Sequence, residues 1–392
     1  MRSSIFSHYR GERRSAGLEF ELKRPELEEL SWVIVHGRGV IHTAHAMNIC
    51  RLTAYAAMAA GKDAVFFMRY DDAPERVSIP LIYYAVMGNP KIEVLIPDEP
   101  EPIGELFDVI VVLDSSMLLH RTSQRALMFD GARKNAYLVV NTSLSPSQVL
   151  ELVKKHQLAQ EWSGKILTIK ARKYKRDFAF GVFGAVARAL VEKGIVTKKN
   201  IEDALISLKW EGKAKVIWEA FDAAEELPVS VLAEEVQIKR GEPPVKPPDV
   251  REPWNIEVYR QFQKAAALAP TYEDRLKAMP RWEALAPGLI EFGPDPGQRN
   301  IGFTTSFTRY QRPVHDATKC IDCKQCTVNC PDGAIDYIDT SKIDYDYCKG
   351  CGVCSQVCPT KAKTMVPELK AVEGLEDTEL ITLEEALLEF GF

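Results

Sequence analysis

The amino-acid sequence predicts an α/β layer of about 200 residues joined to a small cysteine-rich α+β module near its C-terminal end. Three observations carry that reading. Short β-rich runs alternate with amphipathic helical stretches between Trp32 and Leu208, a pattern that builds a mostly parallel sheet covered on both faces. The composition then breaks where Pro243, Pro244, Pro247, Pro248 and Pro253 crowd into eleven residues. Finally, eight of the nine cysteines fall between Cys320 and Cys358. A chain of 392 residues with 46% hydrophobic content exceeds one ordinary domain and has ample material for a sizeable core.

Taken in order, residues 1–30 read as a charged, irregular arm. Strands are expected at Trp32 to His36, Ala64 to Met68, Ile92 to Ile96, Val109 to Leu113, Tyr137 to Val140 and Ile166 to Ile169. Helices are expected at Thr43 to Ala60, Ser145 to His156, Val182 to Lys193 and Ile201 to Leu208. The second has a well-defined start: Ser145 and Gln148 form a capping box, with Pro146 at the first helical position. The domain spans 31–240. The stretch 241–311 scatters aromatic residues among prolines without periodicity, so it is expected to wrap over its neighbours rather than build a core. The cysteine module follows at 312–365. A tail, 366–392, ends in a candidate docking helix with Leu383, Leu387 and Phe390 on one face.

The cysteines stand as Cys320, Cys323, Cys326, Cys330-Pro331 and again as Cys348, Cys351, Cys354, Cys358-Pro359. The spacing C-x2-C-x2-C-x3-C-P, written twice, is that of paired 4Fe-4S clusters, in which the fourth cysteine of each run ligates the other cluster. Cluster A is therefore expected on Cys320, Cys323, Cys326 and Cys358, and cluster B on Cys348, Cys351, Cys354 and Cys330. Zinc knuckles place paired cysteines around a longer loop, and disulfides need an oxidising compartment; neither pattern matches. Gly350 and Gly352 allow the tight turns that aim amide hydrogens at cluster sulfurs.

Charge is unevenly spread. From His315 onward there are seven Lys and Arg against fifteen Asp and Glu, a net of −8, while the residues before carry 43 against 40. An acidic cluster module argues against nucleic acid as its partner. No run of eighteen apolar residues is present to span a membrane. Met1 to Phe20 has no apolar core of the kind a secretory signal needs. Cluster motifs and an unpaired thiol, Cys50, fit a reducing cytoplasm. Cys50 reads as a small buried hydrophobe, and His42 and His45 as packing or capping residues rather than metal ligands. The loop His36-Gly37-Arg38-Gly39 reads as a tight turn, since it lacks the third glycine of a dinucleotide fingerprint.

The cysteine stretch resembles two-cluster bacterial ferredoxins. Together with His36-Gly37-Arg38-Gly39, Pro74-Glu75-Arg76, Asp108 to Leu113 and Arg312-Pro313-Val314, the chain resembles the gamma and delta parts of 2-oxoacid:ferredoxin oxidoreductases, fused. That resemblance implies a Rossmann-like gamma-type domain ahead of a ferredoxin domain. It also implies an electron-transfer role, with thiamine diphosphate and magnesium on partner alpha- and beta-type subunits. The partnership would be a hetero-oligomer, such as a dimer of heterotrimers, delivering electrons to an external ferredoxin or a similar low-potential acceptor. The Gly-Asp-Gly motif of thiamine sites is missing here; Phe129-Asp130-Gly131 and Pro331-Asp332-Gly333 both lack its first glycine. Arg38 and Arg76 are the candidates to border the partner's active site, clamping a carboxylate. Val40, Ile41 and His42 replace the family's Gly-Gln-Gly, and Val77-Ser78 its Arg-Gly. These departures leave coenzyme A contact open and keep oxalate, whose cleavage needs no coenzyme A, beside pyruvate and larger 2-oxoacids.

Overall fold

A computed structural model describes residues 30–68, 80–88, 106–120, 128–129, 131–157, 161–231 and 305–381. The expected arm, the Ile92 to Ile96 strand, Pro74-Glu75-Arg76, most of the connector and the Leu383 to Phe390 helix all lie outside these residues.

The α/β domain runs β1 (Ser31–Arg38), α1 (Gly39–Ala59), β2 (Asp63–Met68), β3 (Pro80–Gly88), β4 (Phe107–Val112), β5 (Ala132–Asn141), α2 (Pro146–His156), β6 (Lys165–Ile169), α3 (Phe178–Glu192), α4 (Lys198–Ser207), α5 (Ala214–Ala223) and β7 (Glu225–Pro228). The seven strands form one sheet in the order β2-β3-β1-β4-β5-β6-β7. The centre, from β1 through β4 and β5 to β6, is parallel. Pairings of β3 with β1 and β2, and of β7 with β6, are antiparallel. The sheet is therefore mixed, not mostly parallel as expected. The cause is β3, Pro-Leu-Ile-Tyr-Tyr-Ala-Val-Met-Gly, an unbroken apolar run whose periodicity does not distinguish strand from buried helix.

Alternation along the central strands divides the core in two. Val33, Val35, Val109, Val111, Val139 and Leu167 face α1 and α3, where Ile49, Leu52, Phe183 and Val186 meet them. Trp32, Ile34, Ile110, Val112, Leu138, Val140 and Ile166 face the opposite side, with Val149, Leu152 and Val153 of α2. Burial on both faces is why these strands read as continuous apolar runs. The α2 start is as expected: the Ser145 side chain accepts from Gln148 N–H and the Gln148 side chain closes the box. Helix α1 begins at Gly39, four residues before Thr43. Arg38 N–H donates to His42 Nδ1 at 3.0 Å, so a side chain from inside the first turn satisfies an amide at its start.

The second unit comprises β8 (Gln311–His315), two single helical turns α6 (Gln325–Val328) and α7 (Val353–Gln356), β9 (Lys363–Pro367) and a short helix α8 (Glu368–Glu373). Strands β8 and β9 pair antiparallel, with His315 opposite Lys363. The unit begins before Arg312: Thr305 and Ser306 N–H both donate to Asp346 O, at 2.9 and 3.1 Å. Past α8 the chain turns through Gly374 and continues, with a second turn at Thr378 and Glu379, as a strap without helix or strand to residue 381.

Candidate electron-transfer centre

The two cysteine runs fold as near copies. In each, the third cysteine is the second residue of a helical turn: Cys326 in α6 and Cys354 in α7, both buried. Each turn starts from a left-handed residue, Lys324 at φ 60° and Gly352 at φ 81°. Two residues earlier stand Asp322 at φ 55° and Gly350 at φ 72°. Gly350 is required for a second reason, because a Cβ there would come within 2.2 Å of Gln311 O. After each Cys-Pro the chain folds back, so that Ala334 N–H donates to Cys330 Sγ at 3.3 Å and Ala362 N–H to Cys358 Sγ at 3.2 Å.

This back-to-back arrangement brings the fourth cysteine of each run beside cysteines of the other. Cys320, Cys323, Cys326 and Cys358 line one recess with Ile321, Thr340 and Lys363. Cys330 instead acts electrostatically on the thiols of Cys348 and Cys354, on which Cys351 also acts. None of the eight forms a disulfide.

The donor set fits the clusters. Burial pushes the Cys354 thiol up to about 12, and the sulfurs of Cys348, Cys351 and Cys330 add to the effect. Burial likewise raises Cys348. Thiols raised in this way resist ionising in protein alone, and a cationic iron-sulfide core would supply the missing counter-charge. Burial works against the Cys358 thiolate too, but N–H groups of Lys363, Ala362 and Thr360 and the Thr360 hydroxyl outweigh it and hold the thiol below its ordinary value. Among the described residues no three His, Cys, Asp or Glu side chains converge as ligands of a single ion would; a four-iron cube asks instead for one thiolate at each iron.

Arg38 does not border an open site in this chain. It is buried, with Nε 2.7 Å from Asp114 Oδ2 and Nη2 donating to Ser116 Oγ at 2.8 Å and Arg309 O at 3.2 Å. Burial alone would raise the Asp114 carboxyl, but Arg38, Ser116 and His42 together hold it below the usual range. The glycine loop is thus closed by its own arginine. Gly37 is needed because a Cβ there would lie 2.7 Å from His42 Cβ. His42 and His45 pack around Phe178, and burial lowers them to about 3 and about 4. Cys50 is buried, which raises its thiol.

Two features escaped sequence reading. Glu368, fully buried at the start of α8, accepts from Arg309 Nε at 2.8 Å and Arg312 Nη2 at 2.6 Å, and lies 2.9 Å from His120 Nε2. Arg309 in turn donates to Cys348 O at 2.7 Å and to Tyr345 O. A charged relay thus ties the α/β domain to the loop of the second cysteine run. The other is the strap. Asp377 accepts from Ser115 Oγ and Thr142 Oγ1, both at 2.5 Å, and from Ser143 N–H at 2.8 Å. Glu379 accepts from Arg172 N–H at 2.7 Å. The strap is therefore tied to the carboxyl ends of β4 to β6, the edge at which open α/β sheets commonly hold ligands. A short acidic run, Asp377-Thr378-Glu379, gave only a weak signal of this.

Comparison with known proteins adds the following. A family described as 4Fe-4S dicluster domain matches residues 319–362, so the module carries two 4Fe-4S clusters. The chain is 46% identical over 74 residues to pyruvate synthase subunit PorD of Methanothermobacter marburgensis, a match spanning 19% of this chain and 88% of that protein. It is 52% identical over 62 residues to ketoisovalerate oxidoreductase subunit VorD of Pyrococcus furiosus, spanning 15% and 58%. Among solved structures, pyruvate oxidoreductase subunit PORC of Thermotoga maritima overlaps 50% of this chain and 98% of its own, at 20% identity and a TM-score of 0.37. An overlap that loose carries no argument. No described helix is long and apolar enough to cross a membrane.

Proposed function

We propose, from the premise that this chain belongs to the 2-oxoacid:ferredoxin oxidoreductase family, that it relays electrons released by oxidative decarboxylation of a pyruvate-like 2-oxoacid to an external ferredoxin. It is the ferredoxin-type electron-transfer subunit of such an enzyme. Thiamine diphosphate and magnesium belong, on this reading, to partner subunits in a hetero-oligomer.

One observation carries the proposal: Cys358 lines one recess with Cys320, Cys323 and Cys326, while Cys330 acts on Cys354 together with Cys348 and Cys351. Cys320, Cys323, Cys326 and Cys358 would hold cluster A, and Cys348, Cys351, Cys354 and Cys330 cluster B. When bound, each cluster supplies one-electron chemistry. The chain's own residues fix the geometry. The helical turns set the buried cysteines, the N–H groups of Ala334 and Ala362 orient the exchanged thiolates, and Arg309 anchors the Cys348 carbonyl. Rigid, hydrogen-bonded sulfurs need little rearrangement as charge arrives and leaves.

The test is viologen reduction by the assembled enzyme with pyruvate, 2-oxoglutarate and oxalate, each with and without coenzyme A. Activity with a 2-oxoacid that is lost on mutating Cys326 supports the relay. Full activity in an assembly lacking this chain's clusters would reject it. Because Arg38 is bonded to Asp114, Ser116 and Arg309, any coenzyme A requirement is expected not to depend on Arg38.

A further inference from the structure

The two cysteine runs align residue for residue beyond their last cysteine: Cys330-Pro331-Asp332-Gly333-Ala334-Ile335 against Cys358-Pro359-Thr360-Lys361-Ala362-Lys363. The fold obeys that alignment, since Ala334 and Ala362 make the same N–H to sulfur contact. The next position breaks it. Ile335 is a buried apolar residue packed with Cys326 and Cys354. Lys363, its counterpart, is equally buried, at 1% exposure.

A buried ammonium is costly without compensation. Among the described residues no carboxylate pairs with Lys363. Its nitrogen donates to Thr340 O at 2.5 Å, and Thr340 in turn lies with its hydroxyl 3.8 Å from Cys320 Sγ. Among its titratable neighbours are the His315 ring, across the strand pair, and the sulfurs of Cys326, Cys354, Cys320 and Cys358, three of them in the set assigned to cluster A. Lys363 also lines that cluster's recess. The cations near the other set are differently placed, because the buried Arg309 and the half-buried Arg312 share the Glu368 carboxylate.

We infer that Lys363 is the built-in counter-charge of cluster A, a positioning residue that raises this cluster's reduction potential and makes it a better resting place for the electron. The inference rests on the cluster-ligand reading proposed above. In an exchange of one electron between the two clusters, cluster A would be reduced as cluster B is oxidised, or the reverse. No bond is made or broken and no proton moves. The reduced cube is one charge more negative, so a fixed ammonium beside it favours the reduced state of cluster A.

The experiment is a redox titration of the purified full-length chain, followed by electron paramagnetic resonance, in wild type and in Lys363→Ile, Lys363→Gln and Lys363→Arg. A Cys323→Ser variant marks which signal belongs to cluster A, and separates failure of the ligand assignment from failure of this inference. Lys363→Ile, which copies the residue at the equivalent position, and Lys363→Gln are expected to lower the cluster A potential so that electron occupancy of A relative to B falls at least about tenfold. That corresponds to about 59 mV for one electron. Lys363→Arg is expected to retain the wild-type value. Unchanged potentials in both neutral variants, or equal shifts of both clusters, would overturn the inference. So would loss of cluster A iron from both neutral variants, which would assign Lys363 to structure alone.

Discussion

At the scale of single residues, the buried charges decide how the two units are joined. Glu368 serves Arg309, Arg312 and, across the domain boundary, His120. Burial disfavours its ionised form, but these partners outweigh burial and hold its carboxyl far below the usual range. Removing one partner of a buried charged group strands the others, at about 3–5 kcal/mol. Glu368→Gln is therefore expected to destabilise the protein by roughly that amount in denaturant unfolding at neutral pH. Because the folded carboxyl has a depressed pKa, its stabilisation is complete above the unfolded value of about 4.3 and is lost as pH falls further. The gap between wild type and Glu368→Gln should accordingly stay constant from about pH 7 to pH 5 and narrow only below about pH 4. A gap that narrows already by pH 6 would contradict this account of Glu368.

These residues also mark what a sequence conceals. Arg38 lies in a glycine loop and invites assignment to a site, yet its partners Asp114, Ser116 and Arg309 stand 76, 78 and 271 positions away. Lys363 reads as an ordinary surface lysine until the fold encloses it. Charged side chains are legible locally only when their partners are local, as with the capping box of Ser145 and Gln148.

At the scale of elements, local signals were reliable wherever one physical cause dominated. Strands β1, β4, β5 and β6 were visible because central positions demand apolar side chains on both faces. Helix α2 was visible from its cap, and Ser145→Ala is expected to cost about 1 kcal/mol in unfolding free energy, with no change in iron content. Strand β3 was missed because an unbroken apolar run carries no period, and β7 because four residues, two of them glutamates, offer little pattern. The strap was missed because its hold comes from hydroxyls on other elements. Asp377→Ala removes the carboxylate that Ser115, Thr142 and Ser143 share, and should make residues 374–381 newly susceptible to limited proteolysis while leaving cluster absorbance intact. A strap as resistant as in wild type would show that Asp377 does not hold it.

For the whole molecule, an α/β domain whose carboxyl sheet edge is held by residues 377–379 carries a two-cluster module on a bridge of ion pairs around the buried Glu368. The cysteine spacing made the function of the module legible, because iron-sulfur ligation tolerates few arrangements. The mixed sheet and the domain bridge were not legible, because both depend on contacts between distant segments. Gly350→Ala tests the coupling between strand and cluster loop: the added methyl would meet Gln311 O, and partial loss of iron is expected, measured against wild type purified in parallel.

This one chain holds two four-iron cubes. The most direct measurement is the iron and acid-labile sulfide content of the anaerobically purified full-length protein. About eight of each per chain is the expected result. About four of each would remove one cluster, and zinc in place of iron would contradict the account altogether.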